Sequence, residues 1–264
     1  MDLGIKGRLA LVTGSTLGIG RAIAETLVSE GARVIVNGRK EKAVKDAVAA
    51  LSRRGEAHGI AADLMTAQGA RAVAEGAEKI GPVDILVNNV GFFEVKPFAD
   101  ISDRDWLEMF ELNVMSGVRL TRALFPGMLS RNWGRVVFIA SEQSAKPNPD
   151  MLHYAMSKTA QVAVARGLAE LTKGTRVTVN SVLVAPTWSE GVEIFLEKMA
   201  PEAGKTVAEM RTAYFDGPGA SSLLQRWAEP GEIAAQVAFL CSERASAVNG
   251  AAQRVDGGIV RSLF

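Results

Sequence analysis

Residues Thr13-Gly-Ser-Thr-Leu-Gly-Ile-Gly20 decide how this chain folds. They follow an apolar run, Arg8–Thr13, and open an amphipathic one, Ile19–Glu30. Gly14, Gly18 and Gly20 permit a tight turn and a close backbone approach. Exposed N–H groups and the positive end of a helix dipole then converge where a pyrophosphate can sit. The spacing is Gly-x-x-x-Gly-x-Gly, not the commoner Gly-x-Gly-x-x-Gly, and such a turn standing alone can be a bland connection. Its place between a first strand and a first helix, opening a βαβ unit, is what gives it weight.

Outward from that turn the chain alternates. Arg8–Thr13, Arg33–Asn37, Ala57–Ala61, Val83–Asn88, Arg135–Ala140 and Val177–Leu183 are apolar nearly throughout, as strands covered on both faces should be. Ile19–Glu30, Glu41–Arg54, Thr66–Ile80, Asp103–Ser130 and His153–Thr172 carry helical period or composition; Pro230 starts a further helix and Ala251–Val255 a last strand. The alternation predicts an α/β fold: a doubly wound, mostly parallel, Rossmann-like sheet in three layers, one catalytic domain over residues 1–264. Residues 186–227 break the rhythm with prolines, glycines and large apolar side chains, among them Trp188, Phe195 and Tyr214. An insertion after a strand's carboxyl end lies where ligands bind in open α/β sheets, so a small substrate lid is expected there, against a packed helical hairpin.

Composition narrows the partners. The 264 residues are 48% hydrophobic and 22% charged with a net charge of +1, which argues against nucleic acid or an anionic membrane. A lone Cys241 excludes an internal disulfide framework, and with only His58 and His153 beside it no Cys/His metal site is expected. The opening MDLGIKGRLALVTG has no long apolar run, so a cytoplasmic setting is expected.

The second strand runs into Val36-Asn37-Gly38-Arg39. An acid there would bond the ribose 2′-hydroxyl of NAD, whereas an arginine accommodates the 2′-phosphate of NADP. Arg39 therefore favours NADP(H), with NAD(H) left open; as a plain solvated loop residue it would signify nothing. Further on, Tyr154-Ala-Met-Ser-Lys158 puts a phenol and an ammonium at i and i+4 on one helix face. A free phenol titrates near pH 10, and lowering that by about three units asks roughly 4 kcal/mol of nearby charge. The pattern is common by chance, but Ser141 precedes it by thirteen residues, just past a strand's carboxyl end, where its hydroxyl can bond a substrate carbonyl. Neither histidine is placed to make Ser141 a nucleophile. Asn113 is an awkward residue within a predicted helix, since its side chain prefers to bond backbone locally.

Taken together, Thr13–Gly20, Asn88-Asn-Val-Gly91, Asn113, Ser141, Tyr154–Lys158 and Val255-Asp-Gly-Gly258 resemble the short-chain dehydrogenase/reductase family, over essentially the whole chain and in the family's order. The resemblance implies a seven-stranded sheet and a catalytic tetrad. Tyr154 is the general acid/base and Ser141 positions the substrate oxygen. Lys158 bonds the nicotinamide ribose and lowers the Tyr154 pKa, while Asn113 holds a relay water. It also places Gly14, Ser15, Thr16, Gly18, Ile19 and Gly20 on the cofactor phosphates, Asp63 and Leu64 at the adenine, and Asn89 and Gly91 beside the adenosine ribose. Homo-oligomers, dimers or tetramers, built on the helices of Asn113 and Tyr154 are implied too. Three departures stand out: Val90 for the usual alanine, Val184-Ala185 for the usual Pro-Gly after the sixth strand, and Asn249-Gly250 for Thr-Gly. Ser189, with backbone near Thr187, is a substitute for the lost carboxamide grip.

The chemistry so implied is hydride transfer between nicotinamide C4 and a ketone or secondary alcohol, with no metal. A hydrophobic or aryl ketone suits the apolar lid. The rivals are a 3-oxoacyl-thioester reductase, for which Lys198, Lys205 and Arg211 leave room for a carrier, and a non-catalytic dinucleotide-binding regulator, which would have little need of the tetrad. Glu142 and Gln143 are read as pocket or solvated loop with equal weight, His153 as packing or interface, and Cys241 as helix core.

Overall fold

Apolar runs without alternation need cover on both faces, and they receive it. The computed structural model describes residues 1–263. Strands β1 (Leu9–Val12), β2 (Arg33–Gly38), β3 (Ala57–Ala61), β4 (Ile85–Asn88), β5 (Gly134–Ser141), β6 (Val177–Val184) and β7 (Ala252–Val255) form one sheet in the order β3-β2-β1-β4-β5-β6-β7. Every pairing is parallel. The order reverses between β1 and β4, which opens a crevice at their carboxyl ends.

In chain order the helices are α1 (Gly18–Ser29), α2 (Glu41–Leu51), α3 (Ala67–Ile80), α4 (Asp103–Phe110), α5 (Ser116–Ser130), α6 (Leu152–Glu170), α7 (Glu190–Ala203), α8 (Val207–Ala213) and α9 (Pro230–Cys241). Ile23 and Leu27 of α1, Val44 of α2, and Ile233 and Leu240 of α9 fill one face of the sheet. Val73 of α3, Leu120 and Leu124 of α5 and Ala165 of α6 fill the other. Each of the larger buried side chains stabilises the fold by about 1.5–3 kcal/mol. Cys241 is fully buried at the end of α9, as its helix-core reading required.

The predicted helix over 103–130 is interrupted. Ser102 starts α4 with a reciprocal cap to Asp105, and residues Glu111–Met115 then widen into a π turn before α5 continues. One extra residue per turn frees backbone groups, which is why such turns gather at functional sites. Asn113 sits in this turn, so its poor fit to an α-helix has a structural counterpart. Residues 186–227 carry α7 and α8 and close on themselves through an aromatic cluster. Trp227 stands 4.6 Å from Tyr214 and 5.6 Å from Trp188, ring centre to ring centre. Among the described residues no helix is long and apolar enough to cross a membrane.

Candidate active site

The glycine-rich turn is built by its neighbours. Gly14 and Gly18 have φ of 60° and 59°, the left-handed region that favours glycine. The Thr13 hydroxyl oxygen accepts from the Asn89 and Val90 amides, each at 2.9 Å, and Asn89 Nδ2 donates to the Thr13 and Gly14 carbonyls at 2.8 and 3.2 Å. Gly20 leaves no room for a side chain, since a Cβ would lie 2.4 Å from both Gly14 O and Asn89 Nδ2. Ser15 is fully buried, its hydroxyl donating to Val12 O and accepting from the Asn37 amide. Asn89 and Ser15 thus brace the turn from behind. Gly14, Thr16, Arg39, Asp63, Leu64 and Gly91 face a cavity of about 450 Å³ in front of it. Arg39 is exposed on that cavity's rim, and no ion pair engages it among the described residues.

The insertion over 186–227 reaches this turn as well. The Gly18 amide donates to Glu190 Oε2 at 2.9 Å, so the first residue of α7 puts a carboxylate at the start of α1. That is where helix dipole and free N–H groups favour an anion.

A second cavity, of about 510 Å³, adjoins the carboxyl ends of β5 and β6. Ser141, Glu142, Gln143 and Tyr154 line its inner end, with Ile19 and Thr187. Phe195, Leu196, Met199, Met210 and Tyr214 of the insertion form the opposite wall. Phe93, from the loop after β4, packs edge-on against Phe195 at 5.0 Å and against the Tyr154 ring at 6.1 Å. The insertion is therefore a wall of the site.

Around Tyr154 the expected residues converge. Lys158 Nζ lies 5.7 Å from the Tyr154 ring centre and donates to Ile139 O at 2.8 Å. A Cβ on Gly91 would come within 3.1 Å of Asn113 Oδ1 and 3.4 Å of Lys158 Nζ, so these two side chains close on the Gly91 backbone. Asn113 lines neither cavity: its amide clamps the Phe92 backbone (2.9 Å to N, 3.0 Å to O) and bonds Ser157, and its carbonyl accepts from Gln161 at 2.6 Å. Ser189 accepts from the Val192 amide as the cap of α7, and the Thr187 hydroxyl donates to Ala185 O. His153 is fully buried against Trp106 and lies outside the cavity lining, which leaves the packing half of its reading.

Burial dominates the electrostatics of these groups. Burial, and next the Glu142 carboxylate, push the Tyr154 phenol above its usual pKa, with a Ser141 hydrogen bond opposing. Burial also lowers Lys158 to about 8, against the opposing pull of Glu142. The protein's own groups thus favour the protonated phenol, and desolvation is the largest cause. Glu142 is the residue that sequence reasoning undervalued. It is buried, accepts from the Ser141 hydroxyl at 2.5 Å and from Gln143 Nε2 at 2.9 Å, and burial raises its pKa. Its adjacency to Ser141 was a usable signal, as the apolar run of the insertion was for Tyr214; for Glu190, far along the chain, there was none.

Among known proteins, residues 8–199 match the short chain dehydrogenase family. The uncharacterized oxidoreductase YvrD of Bacillus subtilis (strain 168) is 52% identical, with all of both chains covered. The 3-oxoacyl-[acyl-carrier-protein] reductase FabG of Aquifex aeolicus (strain VF5) is 31% identical over 98% of this chain and 100% of its own. The structure of L-sorbose reductase from Gluconobacter frateurii, complexed with NADPH and L-sorbose, superposes with a TM-score of 0.94 at 32% identity over the full length of both chains.

Proposed function

The chain belongs to the short chain dehydrogenase family, an NAD(P)-dependent oxidoreductase acting on a carbonyl or alcohol, and from that premise we propose an NADPH-dependent reductase of small neutral ketones working through Ser141, Tyr154 and Lys158. The observation that carries the reading is the shared cavity: Ser141 and Tyr154 line it together with the lid, at the carboxyl ends of β5 and β6.

The residues at the first cavity fit a dinucleotide. A turn with glycine at 14, 18 and 20 offers backbone amides to a pyrophosphate, and Arg39, which no ion pair engages among the described residues, offers a planar pair of donors to a 2′-phosphate. The NADPH held by the Gluconobacter frateurii enzyme supports the same choice. A bound nicotinamide supplies a hydride to the substrate carbon. Tyr154, kept protonated by its surroundings, delivers a proton to the carbonyl oxygen as charge develops there, and Ser141 donates a hydrogen bond to that oxygen. Lys158, ionised below about pH 8, steadies the resulting phenolate and offers its remaining N–H donors to a ribose. Asn113 positions the Phe92 backbone and α6.

A thioester on an acidic carrier protein is the weaker reading. The lid carries six acidic residues (Glu190, Glu193, Glu197, Glu202, Glu209, Asp216) against Lys198, Lys205, Arg211 and Arg226; the Arg211 guanidinium already stacks on Trp188 at 4.1 Å, and Arg226 pairs with Glu232. The proposal takes residues 1–264 as one catalytic domain with 186–227 as its lid, in the cytoplasm, as a homo-oligomer through the α4–α5 and α6 surface, where Leu107 is exposed. A screen of ketones, β-ketoesters and keto sugars, following NADPH absorbance and repeated with NADH, tests it. Turnover of small neutral ketones with NADPH is the expected result. Failure of every carbonyl, or a preference for NADH, overturns the reaction or the cofactor choice respectively.

A further inference from the structure

Ser141 has one hydroxyl hydrogen, and two acceptors compete for it. In the structure it goes to Glu142 Oε2 at 2.5 Å, while Ser141 Oγ accepts the Gln143 amide at 3.2 Å. Reduction of a carbonyl needs that same hydrogen pointed into the cavity, at the substrate oxygen. We propose that Glu142 is a positioning residue for Ser141: as a carboxylate it holds the hydroxyl hydrogen away from the substrate, and as a carboxylic acid it donates to Ser141 Oγ and releases that hydrogen to the carbonyl. The inference rests on the reductase reading above.

The surroundings suit both states. Glu142 is buried, so a charge there is costly and its neutral form is favoured beyond what a free carboxyl shows. Gln143 Nε2 donates to Oε1 at 2.9 Å, which leaves Oε2 as the atom that gains or loses the proton. The other titratable groups nearby are few. Tyr154 and Lys158 face it from α6, and Tyr214 faces it from the lid, its own pKa raised by burial and by Glu142. Lys146 follows in the same loop and pulls toward the ionised form. Asp150 and Lys205 line the same cavity, and β6, which also packs on this turn, has no titratable side chain.

The exchange is a proton transfer only. Glu142 takes a proton from solvent, its new O–H donates to Ser141 Oγ, and the Ser141 O–H rotates without breaking.

Glu142→Gln tests it, because the amide keeps the shape and always donates to Ser141. NADPH binding, followed by nucleotide fluorescence, checks that the variant is folded. The readout is the ratio of variant to native kcat/KM for ketone reduction. It should climb about tenfold as pH rises from the ordinary carboxylate range, roughly what one hydrogen bond to the reacting oxygen is worth. Loss of the Glu142 charge lowers Lys158 further and would make the ratio fall, so a climb cannot come from that lysine. A ratio that is flat or falling overturns the proposal. Ser141→Ala is measured alongside, because the Glu142 charge also raises Tyr154 and its loss could lift the ratio through that phenol: with Glu142 kept and no hydroxyl to redirect, its rate relative to native should climb in the same way, and a flat ratio again overturns the proposal. A native chain that reduces no carbonyl would instead strike down the reductase reading.

Discussion

Glu190→Gln should tighten NADPH. In the structure the Glu190 carboxylate accepts from the Gly18 amide at 2.9 Å, occupying a donor that the proposed function assigns to the pyrophosphate. A hydrogen bond to a charged group is worth about 1.5–3 kcal/mol, and an anion at a helix start adds about 0.3–1 kcal/mol. Glu190 is exposed, however, so solvent and salt screen much of this. About 1 kcal/mol is a fair remainder, which corresponds to roughly a fivefold lower Kd. The amide keeps the length of the side chain but surrenders its hold and its repulsion of the phosphates. Fluorescence titration of NADPH at low and at high salt measures the change, and the gain should shrink as salt rises. An unchanged or weaker affinity, or a gain insensitive to salt, would refute the reasoning that this carboxylate competes with the cofactor.

Tyr154→Phe removes only the proton-carrying oxygen, so turnover should drop below a few per cent while NADPH fluorescence titration stays as in the native chain. Arg39→Asp places a carboxylate where a dianion is expected and should weaken NADPH at least about tenfold while sparing NADH, read as the ratio of the two kcat/KM values. Lys158 titrates at about 8, below the ordinary lysine value of 10.5. Its ammonium is present below that pH and lost above it, so the reductase rate should decline as pH rises through about 8. Over the same window the unfolded chain binds more protons than the folded one, so stability to denaturant should rise with pH, the reverse of a paired lysine.

The layered sheet was legible because runs such as Val34–Val36 and Val136–Ala140 leave no polar face, and a strand without one must be covered on both sides. Arg39, Ser141, Tyr154 and Lys158 were legible because each stands at a fixed offset from a strand end or along a helix face. Asn113 was half legible: its discomfort in a helix showed, but the π turn and the clamp on Phe92 depend on contacts from another segment. Strand and helix ends were misplaced by small margins, since fraying is settled by caps such as Ser102 and by neighbours across the sheet.

Local pattern therefore determined which chemistry-bearing side chains this protein has and on which elements they ride, because periodicity and turn chemistry act within a few residues. Tertiary structure alone decided their protonation and their competitors. The pKa values of Tyr154, Lys158 and Glu142 follow from burial, and the reach of Glu190 to Gly18 spans most of the sequence. Desolvation and long-range contact depend on what the folded chain brings near, and no local stretch of sequence carries that.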